Sequence, residues 1–447
     1  MHTAAMNQIP VIAIFDMGKT NKKLFLFDES YHVVFERSAR LEEISDEDGF
    51  PCEDIELLKR WLFDSMDEIS QLRQFDIKAV NFSAYGASMV YLDENGNYIA
   101  PLYNYLKPYP GKLEDQFYST YGGKENFSVQ TASPALGSLN SGLQLYRIKY
   151  ENPDLFKRIK YALHLPQYLS YLLSGEKSSD MTSIGCHTAL WNFTGNNYHE
   201  WVEKEGMIDK LAPIRSSTSV TDAAKHKIGV GLHDSSAALI PYLMSFKEPF
   251  VLLSTGTWSI SLNPFIQSPL TTDELKNDCL NYIQYNGRPV KASRFFIGHY
   301  HDDQLNKIAS GFGSNVYNYS SLSYDSGQSK WALLEAPDKE PDSTAPENPG
   351  LAEYFQLMQA LVKKQKLSTD LVITHTDTRQ IFVDGGFSQN DIFMHILAAS
   401  YPEIKVYAAS IPQSTALGAA LSIHGHWNRC SVPRELIELK HFPAPKS

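Results

Sequence analysis

Residues 11–28 read VIAIFDMGKTNKKLFLFD: an apolar run from Val11 to Phe15, a polar turn from Asp16 to Asn21, two lysines, and a second apolar run from Leu24 to Phe27 closed by Asp28. Two short apolar runs flanking a turn of Asp, Gly and Asn predict a β-hairpin, because those residues tolerate the backbone angles a tight reversal needs. Tyr31 to Glu36 extends the hairpin to a third strand. Ile55, Leu58, Leu62, Met66 and Ile69 then recur at steps of three and four, which puts one apolar stripe on a helix face. Ile77 to Phe82 reads as a further strand, giving an opening order of βββαβ, and Ser88 to Leu92 as another.

A similar strand, Gly-Thr turn and strand return at Phe250–Leu253, Ser254–Thr257 and Trp258–Leu262. Between the two hairpins, residues 136–173 are rich in helical spacing, and Asp234-Ser235-Ser236 has the short polar side chains of a helix start. Further on come a proline-rich loop over Ala336–Gly350 and a helix from Leu351 to Gln365. The strand Ile381–Val383 with the turn Asp384-Gly385-Gly386 leads into a helix to Ser400, the strand Lys405–Tyr407 and a small-residue helix over Ser414–Ile423. The fold class expected is α/β in two similar halves, residues 1–245 and 246–447.

Composition narrows the function. In 447 residues, 40 Lys and Arg face 51 Asp and Glu, a net charge of −11. Nucleic-acid and anionic-membrane partners are disfavoured, since both are held by clustered cations. The four cysteines, Cys52, Cys186, Cys279 and Cys430, show no paired metal-ligand spacing. The first residues lack the basic start of a signal peptide, and no run of roughly 18 apolar residues offers a membrane span. A cytoplasmic chain with free thiols is the expectation.

Gly18-Lys19-Thr20 after a buried strand suggests the closing half of a P-loop, yet Ala13 stands where the first glycine belongs and a strand, not a helix, follows. A hairpin turn can still hold phosphate through consecutive backbone N–H groups. Three such turns follow apolar strands: Gly18–Asn21, Ser254–Thr257 and Gly385-Gly386. Each alone is an ordinary turn; their combination is rarer. Asp16 and Asp384 sit at strand ends beside two of them, where a carboxylate can hold a magnesium ion or its water shell. His299, His301, Asp302 and Asp303 cluster in sequence without a zinc motif.

The chain resembles the FGGY carbohydrate kinases over nearly its whole length. Val11–Asp28 is similar to that family's opening hairpin, and Asn81–Gly96, NFSAYGASMVYLDENG, to the segment lining its sugar pocket. Leu163–Gly185 is similar to its helix pair before the catalytic loop. Gly231-Leu232-His233-Asp234 resembles the pattern carrying its catalytic aspartate, and Ser254–Ser259, STGTWS, a motif of the rhamnulokinase and fuculokinase branches. Asp384–Asp391 and STALGAA over Ser414–Ala420 are similar to its C-terminal nucleotide-binding pair. Two departures stand out: Lys19 replaces a customary Thr, and Asn104-Tyr105-Leu106-Lys107-Pro108 replaces a sugar-contacting stretch.

The resemblance implies an actin/Hsp70/hexokinase-like (ribonuclease H-like) fold with a cleft between the halves, and ATP with Mg2+ as cofactors. It implies transfer of the γ-phosphate to a hydroxyl of a small carbohydrate, a ketose or deoxyketose such as L-rhamnulose or L-fuculose. Xylulose or another polyol is an alternative substrate, and a non-catalytic sugar or nucleotide sensor an alternative role; a homodimer is an allowed assembly. Asp234 is the expected base, its ionised form favoured by the helix start. Gly18, Lys19, Thr20, Asn21, Lys22, Gly256, Thr257, Gly385, Gly386, Asn390 and Ser414 are expected on the nucleotide, and Asp16 on the metal through water. Gly86, Ala87, Ser88, His233, Asp234 and Trp258 are expected on the sugar, Trp258 as an apolar wall.

Overall fold

A computed structural model describes residues 8–256, 258–311, 322, 324, 349–411 and 413–445. Thr257 and most of the Ala336–Gly350 loop lie outside the described residues; Pro349 and Gly350 instead begin a helix.

The first half opens with β1 (Ile9–Met17), β2 (Lys22–Asp28) and β3 (Val33–Ala39), then α1 (Ile55–Gln71) and β4 (Phe75–Ala84). After α2 (Leu165–Ser174) and the single turn α3 (Met181–Ile184) come β5 (Val220–Ala223), β6 (His226–Gly229), β7 (Leu232–His233) and α4 (Asp234–Ser245). The strands form one sheet in the order β5-β6-β4-β1-β2-β3, with β7 also on β4. Val11–Phe15 and Leu24–Leu26 are wholly buried because this hairpin is covered on both faces, which explains its unbroken apolar runs. α1 begins where the Asp54 carboxylate caps the N–H groups of Glu56 and Leu57, and it buries Leu58, Trp61, Leu62 and Ile69 on that sheet.

The second half repeats the plan with β8 (Phe250–Thr255), β9 (Ser259–Asn263), β10 (Cys279–Ile283), β11 (Pro289–Phe295), α5 (Ile297–Gly311) and α6 (Pro349–Ile373). β12 (Gln380–Gly385), α7 (Asp391–Ser400), β13 (Lys405–Ser410), α8 (Ser414–Ser422) and β14 (Glu438–Phe442) complete it. Its sheet runs β10-β11-β9-β8-β12-β13-β14. β8 is antiparallel to β9 and parallel to β12, as β1 is antiparallel to β2 and parallel to β4. By register, Asp16 pairs with Ser83 in the first sheet and Ser254 with Asp384 in the second, so the strand-end carboxylate changes strand between the halves.

α4 and α8 lie between the sheets. Ile12, Ile14, Phe25, Phe250, Leu252 and Phe382 from both sheets share one buried cluster with these helices. The helices approach so closely that a Cβ on Gly418 would run into the carbonyl oxygen of Ala237. Asn81, buried in β4, fastens α8 by donating to the Ala419 carbonyl at 2.8 Å and to the Ser422 hydroxyl at 3.1 Å. Among the described residues no helix is long and apolar enough to cross a membrane.

Strand-turn-strand predictions hold for both hairpins, and α6 runs on past Gln365 to Ile373. The pair β10–β11 and the edge strands β5 and β14 go beyond the sequence expectation, since their partners lie far away or their runs are short and polar. The close crossing predicts that Gly418→Ala lowers stability by ~1–3 kcal/mol through overpacking. Gly425→Ala, where a Cβ meets nothing within 4 Å, should stay within about 0.5 kcal/mol of the parent. Thermal denaturation of the two variants checks this.

Candidate active site

The C-terminal ends of β1, β4 and β7 and the N-terminal ends of α4 and α8 bring the central side chains together. Asp16 closes β1, and its Oδ2 accepts from the Thr415 hydroxyl at 2.8 Å, so the second half's helix α8 begins on the first half's strand. Burial raises the Asp16 pKa to about 6, and Asp234 adds to the shift while Thr415, Ser83 and Lys23 oppose it. Asp16 therefore senses the charge of Asp234.

Asp234 is the first residue of α4, after His233 at the cap position. Its Oδ1 accepts from the Ser235 N–H at 2.5 Å. A third of the side chain reaches solvent (33%). Burial of its surroundings raises its pKa to about 6, against the lowering by Ser235. A helix start alone would favour the charged form; desolvation wins here, reversing the expected direction while leaving the group mostly ionised at pH 7.

The loop into Asp234 is held on all sides. Gly231 has φ +87° and sits so close to α2 that a Cβ would come within 2.5 Å of the Pro166 carbonyl oxygen. Its N–H donates to Asn81 Oδ1 at 3.1 Å, and its carbonyl accepts from Gln167 at 2.8 Å. His233 is buried and neutral, its pKa lowered to about 3 by desolvation. Its Nε2 lies 2.9 Å from Cys186 Sγ and 3.2 Å from Asp234 Oδ1, while Nδ1 has no partner among the described residues. A proton on Nε2 therefore suits both neighbours.

Gly86 packs against this pair, since a Cβ there would meet His233 Cδ2 at 2.9 Å and Cys186 Sγ at 3.0 Å. Ala87 is held at φ +64° with its carbonyl accepting from Gln144 at 2.7 Å, and Ser88 is buried beside it. From the second half, Tyr282 stacks on His233 with ring centres 5.7 Å apart and planes at 15°. Arg294 acts electrostatically on Tyr282 and Cys186 and lies 5.5 Å from the Trp258 ring. Trp258 is 43% exposed, so it is not core.

The first turn departs from expectation in its lysines. Lys22 is buried, and its ammonium donates to the Gly18 and Lys19 carbonyls at 2.8 and 3.1 Å and pairs with Glu53 at 3.0 Å. Lys19 turns to Glu43 at 2.6 Å. The point charge expected of Lys22 on phosphate thus goes to holding the turn, because a long flexible side chain finds carbonyls and a buried carboxylate nearer. Thr20 and Asn21 are exposed, Asn21 accepting from Arg40 at 3.0 Å.

In the second half, Gly256, Gly385 and Gly386 are exposed at the ends of β8 and β12. A Cβ at Gly385, φ +87°, would strike the Thr255 carbonyl, so the close approach of the two turns requires glycine. Asp384 has its pKa raised by burial. Asn390 is engaged within its own half, capping α7 at the Phe393 N–H and donating to Tyr354 at 2.7 Å. Ser414 opens α8, next to Thr415. Sequence reasoning missed Thr415, Cys186, Tyr282 and Arg294; only Thr415 had a signal, as neighbour of Ser414.

Among the described residues no group of three or more His, Cys, Asp or Glu is arranged to hold a metal ion. A magnesium ion bound with nucleotide needs less, keeping several waters and using one or two carboxylates plus phosphate oxygens. Asp16 fits that need: it is half-buried, its carboxyl is raised in pKa by desolvation, and it is bonded to a hydroxyl.

Residues 11–234 match the model of the FGGY family of carbohydrate kinases, N-terminal domain, and residues 351–422 that of its C-terminal domain. The chain is 21% identical to a rhamnulokinase of Oceanobacillus iheyensis over 372 residues, 76% of this chain and 77% of the other. It is 21% identical to an L-fuculokinase of Haemophilus influenzae over 469 aligned positions, 92% of this chain and 93% of the other. The crystal structure of a carbohydrate kinase from Novosphingobium aromaticivorans superposes with a TM-score of 0.78 at 22% identity, covering 98% of this chain and 95% of that one.

The raised pKa of Asp16 has a stability consequence. Its folded value of about 6 lies above the ordinary aspartate value near 3.9, so the folded state binds the extra proton and stability falls as pH rises from about 4 to about 6. Asp16→Asn has no such loss. Melting temperatures of metal- and nucleotide-free protein should show the variant's advantage over the parent growing from pH 4 to pH 6.5 and levelling off above.

Proposed function

The chain belongs to the FGGY family of carbohydrate kinases and is a phosphotransferase, and on that premise we propose that it moves the γ-phosphate of ATP to a hydroxyl of a ketose or deoxyketose. L-Rhamnulose and L-fuculose are the first candidates, the sugars in the names of the two relatives. The observation that carries the mechanism is Asp234: a carboxylate partly open to the cleft, poised near pH 6, at the end of a loop fixed from both sides. Phosphoryl transfer asks mainly for positioning, charge stabilisation and a group that takes the hydroxyl proton.

In this reading the sugar lies against Gly86, Ala87 and Ser88 with Trp258 as the opposite wall, and its reacting hydroxyl gives its proton to Asp234. Neutral His233, donating from Nε2, keeps the Asp234 carboxylate oriented without cancelling its charge. The backbone N–H groups of the Gly18–Asn21 and Gly385–Gly386 turns and of Gly256, with the start of α8 at Ser414, face the phosphates; Asn390 would act by shaping the last turn. Magnesium, held by Asp16 through water, would draw charge from the phosphate oxygens when bound. A division near residue 246 belongs to the same proposal: it falls between Ser245, where α4 ends, and Phe250, where the second sheet begins.

A coupled ADP-release assay over ketoses, aldoses, alditols and aldonates tests the proposal. Stimulation by a ketose or deoxyketose is expected. Asp234→Asn should cut kcat on that substrate by ~10²–10⁴, the usual worth of a general base, with KM for ATP within about threefold. Near-parental turnover in Asp234→Asn would remove the base assignment, and silence across the whole panel would favour a sensor.

A further inference from the structure

Asp180 is fully buried, a costly place for a carboxylate unless its oxygens are well used. It is held by hydroxyls and backbone N–H groups. The Thr182 N–H donates to Oδ1 at 2.9 Å, the Thr182 hydroxyl donates to the same oxygen, and the Ser217 hydroxyl donates to Oδ2 at 2.5 Å. The first of these caps the single turn α3, and the pairing of Arg215 with Asp180 ties in the neighbouring strand. These contacts alone would make a local structural knot.

One bond leaves the knot. Thr182 Oγ1 also accepts from the His233 N–H at 3.0 Å, across 51 residues of chain. Since its single proton is committed to Asp180, the Thr182 hydroxyl has its lone pairs aimed at that N–H. His233 immediately precedes Asp234; Asn81 and Gln167 hold the loop at Gly231, two residues earlier, and Leu232 and His233 pair with β4. The Thr182 oxygen is therefore the last side-chain hold on the main chain before Asp234. The same turn leads through Gly185 into Cys186, whose sulfur touches the His233 ring, so α3 meets both the main chain and the side chain of that residue.

We propose that Asp180 and Thr182 are positioning residues for phosphoryl transfer, Asp180 orienting the Thr182 hydroxyl so that its oxygen fixes the His233 peptide and with it the direction of the Asp234 carboxylate. The inference rests on Asp234 being the base. Displacing a reacting group by about 1 Å can cost on the order of 10²-fold in rate, and the lever here is one residue long.

Thr182→Val keeps the shape and removes the oxygen, whereas Thr182→Ser keeps the oxygen and removes a methyl. With the sugar found active in the ADP-release assay, Thr182→Val is expected to lose 10- to 100-fold in kcat with KM for ATP within about threefold, and Thr182→Ser to recover to within about threefold of the parent. Should the valine protein not fold, Asp180→Asn carries the same reading, with a smaller kcat loss at unchanged KM for ATP. Equal losses in the Val and Ser variants, losses that follow melting temperature, or a parental kcat in Thr182→Val would overturn the proposal. Asp234→Asn run alongside separates the two levels: if it retains turnover, the base assignment fails, whatever Thr182 shows.

Discussion

Everything at the centre of this protein depends on two helices that nearly touch. α4 and α8 cross where Gly418 leaves no room between its own backbone and the Ala237 carbonyl. Each helix starts at the cleft, α4 with Asp234 and α8 with Ser414 and Thr415, and each packs into a cluster shared by both sheets. Their separation therefore sets how far the Asp234 carboxylate stands from Asp16, which Thr415 holds at the end of β1.

Electrostatics at that point run against the ordinary habits of carboxylates. Asp16, Asp234 and Asp384 all have raised pKa values, with burial the first cause in each. Lys23 offsets the Asp16 shift only in part, and Lys19 and Lys22 turn toward Glu43 and Glu53 and lock the first turn. In a chain of net charge −11, the overall field repels a polyanionic nucleotide, so the proposed function calls for local neutralisation by backbone N–H groups and a divalent cation. Cation and nucleotide would in turn relieve the carboxylates, which couples their binding to the charge state of the site.

Much of this was legible in the sequence, for reasons that are local. The two hairpins show because buried strands read as apolar runs and their turns need Gly, Asn and Asp. Asp234 shows locally only as a helix start, and its expected role as base comes from the resemblance of Gly231–Asp234 to the family's pattern. Other features are not local. Tyr282 and Arg294 come to His233 and Cys186 from β10 and β11, and nothing in their flanking residues says that those strands fold back there. Lys22 was read as a phosphate ligand because residue type gives charge but not the direction of a four-carbon stem. The sign of the Asp234 shift was misread because helix dipole and burial compete, and only the folded surroundings reveal the burial.

The account stands on Asp234 being a poised carboxylate, and its protonation is directly visible in infrared difference spectra. Titrating the free protein and subtracting the same titration of Asp234→Asn isolates the carboxyl C=O band of this side chain. A band that disappears with a midpoint near pH 6, matching the raised value, is the predicted result. A midpoint near pH 4, the value of an aspartate in water, would contradict the account, for Asp234 would then be an ordinary solvated helix-start residue.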